Sequence, residues 1–343
     1  MSNRNLIVLM LLGVLSLGGG WYFGPGLVRP SVTTAEAGSL VFPGLAERLA
    51  QTRRVEILHQ GKTVVIEPGG DGVWGLADRD FYPVQVSALR DILTGLTELR
   101  LVEPRTSDPA KFARLGVENP DTPDATSKLL RVLDASGNPL AAIVLGHRRV
   151  RTQGNVPESV YVRLMDQGQA WLAEGKLEVS ADPLTLIDRD ILSIPPERIV
   201  NVAVTRGTER LEFARDGDQL VLRIPSDPRA MEAYRLDDIG RALDNLTMLD
   251  VRRAQEPASL PMLGEAVFTA IDGLEVQVRL FKDEKNTWAR FSVSGPEAIR
   301  EDVRALAGKL TLWEFQISPW KEKTLLPTLE DLPARADPSG TKP

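Results

Sequence analysis

Residues 6–23 read LIVLMLLGVLSLGGGWYF, an uncharged apolar run and the only one in the chain long enough to cross a bilayer. As a helix these residues rise about 27 Å at roughly 1.5 Å each, against a hydrocarbon core of roughly 30 Å. The run predicts an uncleaved transmembrane helix over 6–23, after a cytoplasmic N-terminus at 1–5. A secretory signal peptide is the competing reading, because Arg4 supplies a positive start and Ala35-Glu36-Ala37 has the small-x-small form of a cleavage site. The length of the run and its distance from Ala37 favour the anchor. With no cysteine in the chain, a lipid-modified N-terminus is excluded.

Arg4 and the terminal amine predict an N-terminus inside and a body outside, an orientation compatible with a single pass of an inner (cytoplasmic) membrane and a body in a bacterial periplasm. Trp21 and Tyr22 suit the aromatic belt at the outer interface. Ser16, Gly20 and Gly24 recur every four residues, a stripe of small side chains where a partner's transmembrane helix could approach closely. The plainer reading is that glycine is common in such helices.

Beyond the anchor the composition is that of a soluble body, and 343 residues leave material for about two domains. A net charge of −6 and a pI near 5.3, with no basic stripe, argue against nucleic acid as a partner. The absence of cysteine removes disulfides, thiolate catalysis, thiolate metal sites and iron–sulfur clusters.

Residues 24–44, with Pro25, Pro30 and Pro43, read as a linker of mixed stiffness. Strands at 55–58, at 63–67 and around Trp74 and Leu76, joined by Gln60-Gly61 and Gly69-Gly70-Asp71-Gly72, predict an antiparallel meander. Pro83 then opens a helix whose apolar face carries Val86, Leu89, Leu93, Leu96 and Leu99. The same order returns: strands at 200–204, through Leu211 and Phe213 and through Leu220 and Leu222, then a helix with Leu236, Ile239, Leu243, Leu246 and Leu249 on one face. Laid ungapped, 86–101 aligns with 236–251, with Leu96-Thr97 on Leu246-Thr247. More strands follow each helix, and each block ends in a helical segment, at 183–192 and at 296–310.

The fold class this predicts is α+β: an N-terminal transmembrane helix followed by two tandem repeated domains, each an antiparallel sheet with helices on one face. The repeats are expected at 45–194 and 195–326, divided near Pro195-Pro196, with a disordered tail at 327–343. A single β-rich body with an incidental internal match is the alternative.

Residues for chemistry are few. The glycine cluster at 69–72 lacks the Lys-Ser/Thr of a phosphate loop and sits between strands, so it reads as a hairpin turn. Two histidines, His59 and His147, offer little to a metal site or a Ser-His-Asp triad, and both read as solvated. No cofactor is expected. Asp188 with Asp190, and Asp237 with Asp238, are candidate acid pairs on spacing alone, more economically a charge cluster and a helix's acidic first turn. Trp74, Trp171, Trp288, Trp313 and Trp320 could line a groove for a glycan or another envelope polymer, with core packing the plainer account.

Several short segments taken together carry a resemblance. They are Phe42-Pro43-Gly44-Leu45-Ala46-Glu47-Arg48-Leu49, Val55-Glu56-Ile57, Tyr82-Pro83, and Leu96-Thr97-Glu98-Leu99-Arg100-Leu101-Val102-Glu103-Pro104. With them come Phe112-Ala113-Arg114-Leu115-Gly116-Val117-Glu118-Asn119-Pro120, Tyr161-Val162-Arg163, Trp171-Leu172-Ala173 and Ile187-Asp188-Arg189-Asp190-Ile191-Leu192. The chain resembles the bacterial family catalogued as domain of unknown function 4340, closely over 42–192 and loosely beyond. It departs at Leu186, where a tryptophan is expected. The resemblance implies an N-terminal membrane helix, a repeated extracytoplasmic body and no catalytic residues to carry over. It also implies partners: an ABC-type transporter of the gliding-motility kind, namely its membrane subunit and its extracytoplasmic auxiliary component. The expected function is a non-enzymatic, membrane-anchored periplasmic accessory subunit, the alternatives being a glycan-binding module or an acid-pair hydrolase.

Overall fold

A computed structural model of the chain describes residues 36–149, 157–165, 167–226, 231–256 and 258–332. The early strands are β1 (Arg54–His59), β2 (Lys62–Pro68), β3 (Trp74–Leu76), β4 (Tyr82–Pro83) and β5 (Arg100–Thr106). Next come β6 (Lys128–Leu133), β7 (Pro139–Arg149), β8 (Ser159–Leu164), β9 (Ala170–Glu174) and β10 (Asp190–Leu192). The later ones are β11 (Ile199–Arg206), β12 (Glu209–Asp216), β13 (Gln219–Ile224), β14 (Leu246–Thr247) and β15 (Asp250–Arg253). The last are β16 (Met262–Ala270), β17 (Glu275–Lys282), β18 (Thr287–Ser294) and β19 (Trp313–Ile317). They form three sheets, antiparallel throughout.

By compactness the described residues divide into two units, one gathering 36–63 with Asp91–Val179, the other Val64–Arg90 with 180–332. In the first unit the strands run β1-β6-β7-β8-β9-β5. Alternation sets the register: Val55 and Ile57 on β1 are buried opposite Val132 and Leu130 on β6. Phe112 and Val117 pack with Leu58, Leu129 and Val144 in its core. Gln60 and Gly61, at φ 49° and 72°, give the two left-handed positions that a tight hairpin turn demands.

In the second unit the order is β13-β12-β11-β16-β17-β18-β19-β15, and β2, β3 and β4 run as a meander. Phe213, Phe268 and Phe315 are wholly buried at its centre. On β17, Val276, Val278 and Leu280 face in while Glu275, Gln277 and Arg279 alternate with them. Gly264 on β16 is required by proximity: a Cβ there would lie 2.5 Å from the Thr205 carbonyl oxygen.

The α+β expectation of two tandem repeated domains with helices on one face is overturned. Strands dominate the described residues, and the helices are few and short, the longest being Val86–Glu98 and Arg300–Leu310. What recurs is a strand order. A strand becomes the far edge beside the last of a four-strand meander (β5 on β9, β15 on β19), and that meander opens on an earlier strand of the same sheet (β6 on β1, β16 on β11). The second expected helix covers only Ala233–Gly240. Asp244 and Asn245 turn the chain, Asn245 at φ 45°, and Leu246–Thr247 pair with β10 as a strand. Residues 183–192, expected helical, hold a short 3-10 turn, Pro183–Thr185, followed by β10. Val86, placed on the apolar face by spacing, is exposed, and the helix buries Leu89, Ile92 and Leu96 instead.

No helix among the described residues is long and apolar enough to cross a membrane, so the N-terminal transmembrane helix is not shown. Residues 6–23, with the Ser16 and Gly20 of the small-residue stripe, lie outside the described residues, as does Gly24.

Candidate functional site

Two of the short motifs, Tyr82-Pro83 and Ile187-Asp188-Arg189-Asp190, are more than a hundred residues apart and meet in the second unit. Val84 bridges Ile187 antiparallel, the Gln85 amide donates to the Leu186 carbonyl at 2.8 Å, and Gln85 Nε2 donates to the Ile187 carbonyl at 3.2 Å. Leu186 is buried, so the departure at that position is a matter of packing. A loop leads into Tyr82 and is pinned to β15: Arg79 Nε donates to Asp250 Oδ1 at 2.7 Å, and the Arg253 amide donates to Asp80 Oδ2 at 2.9 Å. Asp80 and Phe81 are both left-handed, at φ 52° and 63°. Gly75 must stay glycine beneath them, since a Cβ would sit 2.4 Å from the Phe81 carbonyl oxygen.

At the junction is a cleft of about 240 Å³ bounded by Tyr82, Gln85, Asp188, Lys309 and Trp313. Tyr82 stands edge-on to Trp313 at 4.9 Å and to Phe315 at 6.4 Å. Asp188 Oδ1 accepts from the Asp190 amide at 3.0 Å, and Oδ2 accepts from Lys309 Nζ at 3.0 Å. Arg189 donates to the Met248 carbonyl through Nε and Nη2. Burial pushes Asp188 upward, but the Asp190 amide and Lys309 outweigh it and hold the carboxyl below its usual value. Tyr82 is pushed up to about 12, first by burial and then by the Asp188 charge. Neither group titrates near neutral pH, where general acid–base work needs it. The cleft is a charged joint with an aromatic wall.

Tyr82 also makes a prediction. Its folded pKa lies above the unfolded value of 10.0, so the folded form holds its proton more tightly and stability falls as pH rises from 10 to 12. That loss is about 2–3 kcal/mol at roughly 1.4 kcal/mol per unit. In Tyr82→Phe the contribution is absent, and denaturation midpoints compared at pH 9 and pH 11.5 should show the variant falling less than the parent.

The acid pairs do not assemble. Asp188 is engaged by the Asp190 amide and Lys309, Asp237 Oδ2 accepts from Arg241 Nε at 2.7 Å, and Asp238 pairs with Arg235 at 3.9 Å. The glycine cluster is the hairpin turn its context implied, with the Gly69 amide donating to Val73 and the Gly72 amide to Gly69. Among the tryptophans, Trp171, Trp288 and Trp313 are buried and Trp74 is half-buried, while Trp320 is 60 % exposed, so no shared tryptophan groove forms.

Other convergences had no local signal. In the first unit His59 Nδ1 lies 2.8 Å from the Ser127 carbonyl and His147 Nε2 lies 3.4 Å from Thr126 Oγ1. Glu118 Oε1 accepts from the amides of both Thr126 and Ser127. Burial raises Glu118, yet those bonds prevail and its pKa falls. In the second unit Glu314 on β19 is flanked by Arg252 on β15 and Arg290 on β18, a cross-strand ladder buried at Glu314 and Arg290. Among the described residues no group of three or more His, Cys, Asp or Glu side chains is placed to hold a metal ion.

Comparison with curated proteins and with solved structures found no match. A family model described as a domain of unknown function (DUF4340) matches residues 74–262. That span is more than half of the chain and holds both Tyr82 and Asp188 of the junction, though not Lys309 or Trp313. The protein therefore belongs to the DUF4340 family of domains of unknown function.

Proposed function

We propose that the protein is a non-enzymatic accessory subunit of an ABC-type transport system. The apolar run at 6–23 keeps it at the cytoplasmic membrane with its body on the outer side, and it works through protein–protein contacts. The observation that carries this reading is Phe81. It is a bulky residue held left-handed at φ 63°, 42 % exposed, on a loop pinned at Arg79 and Asp80. Such a conformation costs about 1–3 kcal/mol and persists only where the surroundings impose it. A strained aromatic presented to solvent suits a partner's pocket, since buried aromatics dominate interface energetics. The paired state of the cleft carboxylate, Asp188 on Lys309, favours recognition over proton transfer. The transporter setting, with a membrane subunit and an extracytoplasmic auxiliary component as partners, rests on the family resemblance alone.

The test is recovery of a tagged full chain from native membranes in mild detergent. Transporter subunits should come with it, and isolation of the chain as a lone monomer would overturn the reading. Phe81→Asn keeps a residue that tolerates left-handed backbone. It should lower the recovered partner several-fold while stability stays within about 1 kcal/mol.

A further inference from the structure

Trp320 borders a groove of about 380 Å³ on the second unit, formed between the helices Ala233–Gly240 and Pro319–Leu325 and the segment after them. That volume lies within the roughly 300–1,000 Å³ of small-molecule sites. The indole is 60 % exposed yet held in place, with Lys321 Nζ 4.7 Å from its ring centroid. This ammonium is anchored in turn: Lys321 is 6 % exposed and donates to the carbonyls of Ala242 at 2.9 Å, Asp244 at 3.3 Å and Arg241 at 3.4 Å. One face of the ring thus rests on a buried cation, and the ring is a preorganised platform.

Around the platform Ile239 and Pro327 are apolar, Glu330 offers carboxylate oxygens, and the ion pairs Arg235–Asp238 at 3.9 Å and Lys323–Asp331 at 3.7 Å offer further donors and acceptors. Glu330 makes no ion pair among the described residues. We propose that this groove is a saccharide subsite taking one or two pyranose rings of an uncharged glycan. A pyranose has an apolar C–H face to lay on the indole and a rim of hydroxyls that both donate to carboxylates and accept from an ammonium. Carboxylates at Asp238, Glu330 and Asp331 oppose an anionic ligand, and Arg235 and Lys323 oppose a cationic one. A neutral polyhydroxylated ring satisfies both.

The experiment is calorimetric titration of the full-length protein in mild detergent with two probes, the tetramer of β-1,4-linked N-acetylglucosamine and cellotetraose. Saturable binding of at least one is expected, weakened about tenfold by Trp320→Ala and several-fold by Glu330→Gln. Both side chains are exposed, so circular dichroism should show each variant folded. Silence with both probes at millimolar concentration, or an affinity untouched by Trp320→Ala, overturns the proposal. Binding by the isolated protein needs no transporter, so this outcome is read separately from the co-purification.

Discussion

Replacing Glu314 by alanine should destabilise the second unit by about 3–5 kcal/mol, the cost of removing one partner of a buried ion pair. Its Oε2 accepts from Arg252 Nε at 2.6 Å, and its Oε1 accepts from Arg290 Nε at 2.6 Å and also pairs with Arg290 Nη2. The side chains of Glu314 and Arg290 are 3 % and 6 % exposed, so water cannot replace the lost carboxylate. Arg290 would keep the Gln255 carbonyl and Glu256, whose side chain is mostly in solvent and compensates weakly. Arg252 is better placed, since it lies 3.9 Å over the Trp288 ring and is partly exposed. The double variant Glu314→Met, Arg290→Leu should therefore be far less damaged than Glu314→Ala, because both charges leave together. Denaturant titration of Glu314→Met alone, Arg290→Leu alone and the double variant checks this through their coupling. A cost below about 1 kcal/mol for Glu314→Ala would show that the ladder is not the buried network described.

Phe315→Ala should cost about 3–5 kcal/mol for a different reason, a cavity in place of a large ring. Phe315 follows Glu314 on β19 and so points to the opposite face of the sheet. It is wholly buried, with Phe291 at 5.9 Å and the edge of Tyr82 at 6.4 Å. Because burial is the first cause of the raised Tyr82 pKa, water admitted to the cavity should bring that ionisation down from about 12. Absorbance of the phenolate against pH, read beside the denaturation midpoint, tests both effects. Unfolding at the parental midpoint would mean that the site collapses without loss.

Much of the strand pattern was legible locally. The alternation of β17, the apolar β6 and the turns at Gln60-Gly61 and 69–72 each depend on residues within a few positions of one another. The helix after Pro83 was legible for the same reason, although Val86 turned to solvent because spacing says which residues share a face and not how far the cover extends. The failure at 241–251 is instructive. Leu243, Leu246 and Leu249 keep helical spacing, yet the first two are buried from a turn and a strand, and Leu249 is exposed. Asp244 and Asn245 favour a turn, and β10 offers Leu246 and Thr247 a ladder, a choice decided by a partner more than fifty residues away.

The candidate sites divide along the same line. Residue identity determined which groups were on hand: no thiol, two histidines, a few adjacent acids, five tryptophans beyond the first apolar run and the Tyr82-Pro83 and Ile187-Asp188 segments. It determined the apolar character of 6–23 and the turns that make a meander. Only the tertiary structure decided that Tyr82 and Asp188 share a cleft with Lys309, that Glu314 is buried between two arginines, and that Trp320 alone of those five tryptophans is largely exposed. Periodicity records that a face is covered, whereas charge pairing, desolvation and strand register depend on what covers it, and that is set by residues distant along the chain.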